Sequence, residues 1–212
     1  MALITVSRMY GSGGSEVAER VASQLGWKLF DNSFIDAQAE RLGIAPAEVE
    51  ANEERSPTLV RRLVQAITLS APEWAPPAGE APRPPSEERL VEVSTRIINE
   101  AVAAGPAVLV GRGAQAVLAT RNDVIHVFCH APRAALIARV AGRLGVTLKE
   151  AERITDDTNR EREEYVRKHW KRAWLAHENY HLSLNTDWLG LDGAAAVVVR
   201  LARNMFRSSD GR

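Results

Sequence analysis

The sequence predicts an α/β protein built on a parallel sheet, and three observations carry that prediction. Short continuous apolar runs recur at residues 3–7, 107–110 and 124–129, as expected of strands buried on both faces. Stretches with apolar residues at helical spacing separate them. A glycine cluster, Gly11-Ser12-Gly13-Gly14, stands between the first run and the first helical stretch. Strands alternating with helices indicate parallel pairing. The 212 residues suffice for one domain with a substantial core and a small insertion.

Residues 3–7 read as the first strand. From Ser15 to Leu25, Val17, Ala18, Val21, Ala22 and Leu25 fall on one helical face, and Gly26 is a C-terminal stop. Residues 27–30 form a short second strand, with Asp31-Asn32 as a turn or cap. Helical patterns follow at 33–42, 46–54 and 57–70. Residues 71–85 hold six prolines, which exclude helix and central strand and predict an extended linker. A helix over 86–104 places Leu90, Val93, Ile97, Ile98 and Ala101 on one face. After Gly105-Pro106 come strands at 107–110 and 124–129, then helices at 132–144 and 147–170. Thr147 and Glu150 form a capping box at the second of these. A last strand over 181–185 and a helix over 192–206 close the chain. No internal repeat is evident.

Composition narrows the function classes. Hydrophobic residues make up 45% and charged residues 25% of the chain, ordinary for a globular protein. Lys+Arg and Asp+Glu both number 27, so no global field directs the protein to nucleic acid or to a membrane surface. Between Ala131 and Arg172, eleven basic residues stand against seven acidic ones, a pattern that suits either a phosphorylated small molecule or a solvated helix face. Cys129 is the single cysteine. It excludes an internal disulfide and a cysteine metal site, fits a reducing cytoplasm, and reads as a small core residue. No stretch has a signal peptide's pattern or transmembrane length. The five histidines lack metal-ligand spacing.

The chemistry-bearing feature is the glycine cluster. Glycines let a backbone curl so that several N–H groups converge on an anion at the positive end of the next helix. Set against the phosphate-loop pattern G-x-x-x-x-G-K-[ST], Gly13 takes the second glycine's place and Ser15 the hydroxyl's. Arg8 stands at the first glycine and Gly14 at the lysine. A second feature is Val110-Gly111-Arg112-Gly113 at the end of a buried strand, where open parallel sheets bind ligands. Arg112 there is either a phosphate fork or a surface-turn arginine. A third is Asn159-Arg160-Glu161-Arg162 on a helix, whose two arginines cannot share one face fully. Asp31 serves equally well as a ligand contact or as a helix cap.

The order of these motifs resembles the cytidylate kinase-like family. The matching segments are Ile4-Thr-Val-Ser-Arg-Met-Tyr-Gly-Ser-Gly-Gly14, Phe30-Asp31, Val110-Gly-Arg-Gly113, His126-Val-Phe-Cys-His-Ala-Pro132, Asn159-Arg-Glu-Arg162 and Tyr180-His-Leu-Ser-Leu-Asn-Thr186. The resemblance spans nearly the whole chain except the proline segment. It implies a three-layer P-loop NTPase-like sheet of about five strands, with a helical acceptor-binding insertion over 32–104 and a helical lid over 145–180. It implies ATP and Mg²⁺ as cofactors, a nucleoside monophosphate (CMP or dCMP) as acceptor, and no nucleic-acid or membrane partner. It also implies that an arginine stands in for the missing lysine.

On that reading Gly11, Ser12, Gly13, Gly14 and Ser15 bind ATP, and Ser15 ligates the metal. Arg8, Arg112, Arg160 and Arg162 supply catalytic charge, while Asp31, Arg61, Arg62 and Arg112 meet the acceptor. Asn159 and His181 stand where the family pattern has aspartates. These departures, with Gly14, leave a second reading open: a non-catalytic nucleotide-binding sensor or partner module. A kinase for another small phosphorylated metabolite would share the same residues.

Overall fold

The computed structural model describes residues 2–31, 87–111 and 113–207. The helices expected at 33–42, 46–54 and 57–70, the proline segment, and Arg61, Arg62 and Arg112 lie outside them. Five strands, β1 (Leu3–Arg8), β2 (Lys28–Phe30), β3 (Ala107–Val110), β4 (Val124–His130) and β5 (Leu182–Asn185), form one sheet of order β2-β3-β1-β4-β5. Every pairing is parallel. The helices are α1 (Gly14–Leu25), α2 (Glu87–Ala103), α3 (Ala114–Val117), α4 (Arg133–Leu144), α5 (Leu148–Trp170) and α6 (Thr186–Arg207), with a 3₁₀ turn at His177–Asn179.

β1 is the central strand, and Leu3, Ile4, Thr5 and Val6 are buried. Its side chains alternate between two cores, as the period of a strand requires. Ile4 and Val6 join Val17 and Val21 of α1, Val108, Ile125, and Val198 of α6 on one face. Leu3 joins Ile98 and Ala101 of α2, Leu109, Leu118 and Val124 on the other. The result is a three-layer α/β/α arrangement with β1 as its axis.

The helix ends follow the sequence signals. Gly26 takes a left-handed conformation, φ 67°, and the Trp27 N–H donates to the Ala22 carbonyl at 3.0 Å, closing α1 as a glycine C-terminus does. The Thr147 hydroxyl accepts from the Glu150 N–H at 3.2 Å and opens α5.

The structure differs from the sequence reading at two boundaries. β1 runs on to Arg8, opposite Cys129, because the strand's pairing to β4 continues as far as the Met9 N–H, which donates to the Cys129 carbonyl at 2.9 Å. The helix expected from 192 is preceded by a helical turn from Thr186, opened where Asn185 Oδ1 accepts from the N–H groups of Asp187 (3.1 Å) and Trp188 (3.2 Å), and Gly190, non-helical at φ 67° and ψ 166°, separates the two. α3 and the 3₁₀ turn are too short to leave a periodic signature.

A histidine pair ties the lower part of the sheet. His126 Nδ1 hydrogen-bonds to the Thr5 hydroxyl at 2.7 Å, and the His126 N–H donates to His181 Nδ1 at 2.9 Å. The His181 N–H donates in turn to the His126 carbonyl at 2.8 Å, so His181 extends the β4–β5 pairing by one residue. Burial, helped by the nearby His181 and Arg172, lowers the His126 pKa from 6.5 to about 4.

A group depressed in the folded state contributes stability that is fully present above its unfolded pKa and lost as pH falls through its folded one. The melting temperature should therefore fall as pH is lowered from 6.5 through about 4. The difference between wild type and His126→Leu should shrink over the same window, measured by thermal denaturation across pH. A difference independent of pH would contradict a buried neutral imidazole.

Candidate phosphate-binding cleft

The loop between β1 and α1 leaves the sheet at its carboxyl edge, and its backbone is held by side chains from distant elements. The Tyr10 N–H donates to Asn159 Oδ1 of α5 at 2.8 Å. The Arg8 carbonyl accepts from Arg162 Nη1 at 2.8 Å. The Ser12 carbonyl accepts from the Thr186 hydroxyl at 2.6 Å and from Arg139 Nη1 at 3.3 Å. Buried backbone groups must find partners, and here the partners come from α4, α5 and α6. Their directions fix the loop's curl. The amide groups of α1's first turn lack intrahelical acceptors by helix geometry, and they open onto the same edge.

Packing explains the glycines. A Cβ on Gly14 would lie 2.5 Å from Arg8 Cβ and 2.9 Å from Cys129 Cβ, and one on Gly11 would lie 2.7 Å from the Leu136 carbonyl oxygen. Gly13 carries φ 73° as the N-cap of α1, a conformation that glycine adopts without steric cost. In the second motif, a Cβ on Gly111 would collide with the Arg8 guanidinium, and one on Gly113 with the indole of Trp170. Gly111 and Gly113 therefore make room for β1's last side chain and for the end of α5.

A cleft of about 270 Å³ opens over the loop, lined by Arg8, Gly11, Gly13, Gly14, Ser15, Glu16, Arg143 and Arg162 among others. Three arginines thus line one small volume. Arg143 and Arg162 both lie over the Tyr10 ring, at 4.8 and 5.6 Å from its centre, within range of a cation–π attraction. Ser15 is exposed on α1's first turn. Ser12 is buried, and its Oγ has no hydrogen-bond partner among the described residues. Converging amides, three cations, a hydroxyl and an unmatched buried Oγ fit a polyphosphate. Among the described residues no cluster of His, Cys, Asp or Glu could hold a metal by itself. A divalent cation here would rely on Ser15 and on the bound phosphates.

The structure brings Arg8, Gly11, Gly13, Gly14, Ser15 and Arg162 together, with the buried Ser12 beneath them in the same loop. It does not bring Arg160 with them. Arg160 pairs with Asp157 at 2.6 Å and lines a second, more apolar cleft with Met9, Leu136 and Trp174. Asp31 is half-buried just beyond β2. Sequence reasoning missed Arg143 and Arg139, whose spacing of four on α4 puts both on the face toward the loop. It also took Asn159 only as a departure, whereas its amide oxygen keeps the acceptor that a carboxylate would have offered. Cys129 is a core residue whose thiol burial pushes up to about 12.

A five-stranded parallel sheet with a glycine loop between its central strand and α1 is a P-loop-like α/β fold. The chain superposes on an uncharacterized protein from Eubacterium ventriosum ATCC 27560 with a TM-score of 0.69 at 17% identity, covering 100% of both chains. It superposes on a gluconokinase from Sinorhizobium meliloti 1021 with a TM-score of 0.53 at 14% identity, covering 98% of this chain and 97% of that one. A shikimate kinase from Acinetobacter baumannii in complex with shikimate gives 0.50 at 16%, covering 100% and 96%. These likenesses establish the fold. The chain belongs to the cytidylate kinase-like family, whose profile matches residues 3–188. No curated protein sequence matches it. Among the described residues no helix is long and apolar enough to cross a membrane.

The Asn159–Tyr10 hydrogen bond yields a prediction. Asn159→Ala should weaken polyphosphate binding by about 10-fold, the cost of one hydrogen bond that shapes the loop. Asn159→Asp should stay within about 3-fold of wild type, because the acceptor is kept. Titration with ATP by calorimetry checks both, and equal losses in the two variants would refute the positioning role.

Proposed function

We propose that the protein is a nucleoside monophosphate kinase that moves the γ-phosphoryl group of ATP onto CMP or dCMP. Family membership supports the reaction class. The observation that carries the reading is the convergence of Arg8, Arg143 and Arg162 on the cleft over the glycine loop. An oxygen of the acceptor phosphate attacks the γ-phosphorus, the bond to the β–γ bridging oxygen breaks, and ADP leaves. The acceptor oxygen is already ionised, so catalysis is positioning plus neutralisation of spread negative charge.

In this reading the amides of Gly11 to Ser15 cradle the β-phosphate. Arg8, Arg143 and Arg162 neutralise the transferring group from three sides. Mg²⁺, held by Ser15 and the nucleotide, would offset charge on the β- and γ-oxygens. Arg112, which follows Gly111 in the sequence, is proposed to clamp the acceptor phosphate, and Asp31, Arg61 and Arg62 are proposed on the acceptor side. Arg160, engaged with Asp157, is given no phosphate. α5 and the segment to residue 180 act as a lid that excludes water from the cleft.

The test is ADP and diphosphate formation from ATP and Mg²⁺ with CMP, dCMP, UMP, AMP and GMP in turn. Stoichiometric diphosphate from CMP or dCMP is expected, together with tighter binding of a bisubstrate analogue than of either half. Arg162→Ala and Arg112→Ala should each lower kcat/KM by about 100-fold or more. Absence of transfer to every acceptor while ATP still binds would support the sensor module instead.

A further inference from the structure

We propose that Arg8 and Gly14 are a reciprocal exchange of the first glycine and the lysine of an ordinary phosphate loop, so that the essential cation reaches the phosphates from the end of β1 instead of from α1. The inference rests on the phosphate-binding reading above and says which residue supplies its charge and why.

The pattern G-x-x-x-x-G-K-[ST] aligns with residues 8–15 without a gap. Only its first and seventh positions depart, the first becoming Arg8 and the seventh Gly14. The two departures touch. A Cβ at position 14 would stand 2.5 Å from Arg8 Cβ and 3.2 Å from Arg8 Cγ. The stem of Arg8 thus runs through the space in which a lysine at position 14 would begin. Either residue can carry the cation, but one backbone pair has no room for both side chains.

The far end of Arg8 supports the same assignment. Its guanidinium occupies the space that a Cβ on Gly111 would need, which places it between the glycine loop and the end of β3. On the proposed reading that lies between the donor phosphates in the loop and an acceptor at the end of β3, and an ordinary loop lysine likewise reaches toward the β- and γ-phosphates. The residue is mostly buried, 9% exposed, and lines the cleft. The chain thus keeps one side chain in this space and one cation at the phosphates, with glycine and cation trading places.

A set of variants tests this. Arg8→Gly should raise the Kd for ATP, and for inorganic tripolyphosphate, by at least about 10-fold. Gly14→Lys with Arg8 present should lower Tm by about 5 °C or more through overpacking. Arg8→Gly with Gly14→Ala should recover that Tm without recovering affinity. Arg8→Gly with Gly14→Lys should recover both, with Kd within about 5-fold of wild type. The remaining close neighbour, Cys129 Cβ at 2.9 Å, must be accommodated equally by the alanine and the lysine double variants, so the difference between those two isolates the lysine's charge.

Wild-type affinity in Arg8→Gly would overturn the proposal, as would an unchanged Tm in Gly14→Lys, or a lysine double variant binding no better than the alanine one. If wild type binds ATP and the set behaves as expected but no nucleotide is phosphorylated, the kinase reading fails and the exchange stands. If wild type binds neither ATP nor tripolyphosphate, both fall.

Discussion

The site depends on one constraint: the loop after β1 is too polar to be left to itself and too tightly packed to carry side chains. Its backbone at residues 8, 10 and 12 is satisfied by Arg162, Asn159, Thr186 and Arg139, drawn from three helices far along the chain. Its floor at Gly14 rests on the Cβ atoms of Arg8 and Cys129. Removing any of these partners exposes a buried polar group or forces the loop away from the sheet, and either change disperses the amides that an anion would need together. The parallel sheet matters to the site because it brings the ends of β1, β3 and β4 to one edge, where these contacts become simultaneous.

Charge is distributed by the same geometry. The chain is neutral overall, yet neighbouring arginines of α4 and α5 are put to different uses. Arg133, Arg153 and Arg160 pair with Glu152, Asp156, Glu150 and Asp157 on the outer faces of α4 and α5, where exposed pairs contribute little stability. Arg8, Arg143 and Arg162 turn toward the cleft. The twofold spacing of Arg160 and Arg162 puts them on different sides of α5, as helical geometry demands. One meets Asp157 and the other the Arg8 carbonyl. A count of basic residues therefore says little about the site; on a helix, the phase of each one decides whether it meets an acidic neighbour or the cleft.

The architecture was legible because strands buried on two faces write continuous apolar runs, and because glycine stops and a threonine cap mark helix ends. The glycine loop was legible because close approach leaves no alternative residue. The contributions of Arg139 and Arg143 were not, since each reaches the loop across more than one hundred residues of sequence and neither belongs to a local motif; Thr186 closes a recognisable segment, but its bond to the Ser12 carbonyl required the fold. Asn159 shows a different failure. Read against a pattern it was a lost carboxylate, while in space it retains the acceptor oxygen that holds the Tyr10 N–H. Arg8 lay in between: its proximity to the loop was visible in sequence, but its steric dependence on Gly14 and Gly111 required the fold.

α5 is the element through which the two halves of the site communicate. Its middle grips the glycine loop through Asn159 and Arg162, and its last residue, Trp170, seats its indole on Gly113 beside the end of β3. Phe128, Trp174 and Tyr180 pack where the chain leaves the helix, with Phe128 and Tyr180 rings 4.9 Å apart and the Tyr180 hydroxyl donating to the Trp174 carbonyl at 2.7 Å. A helix fastened at both ends of a cleft cannot lift from one without disturbing the other. On the proposed reading, phosphate in the loop and acceptor at the β3 end would both act on this one helix. That coupling would follow from where Gly14 and Gly113 leave room rather than from any one catalytic side chain.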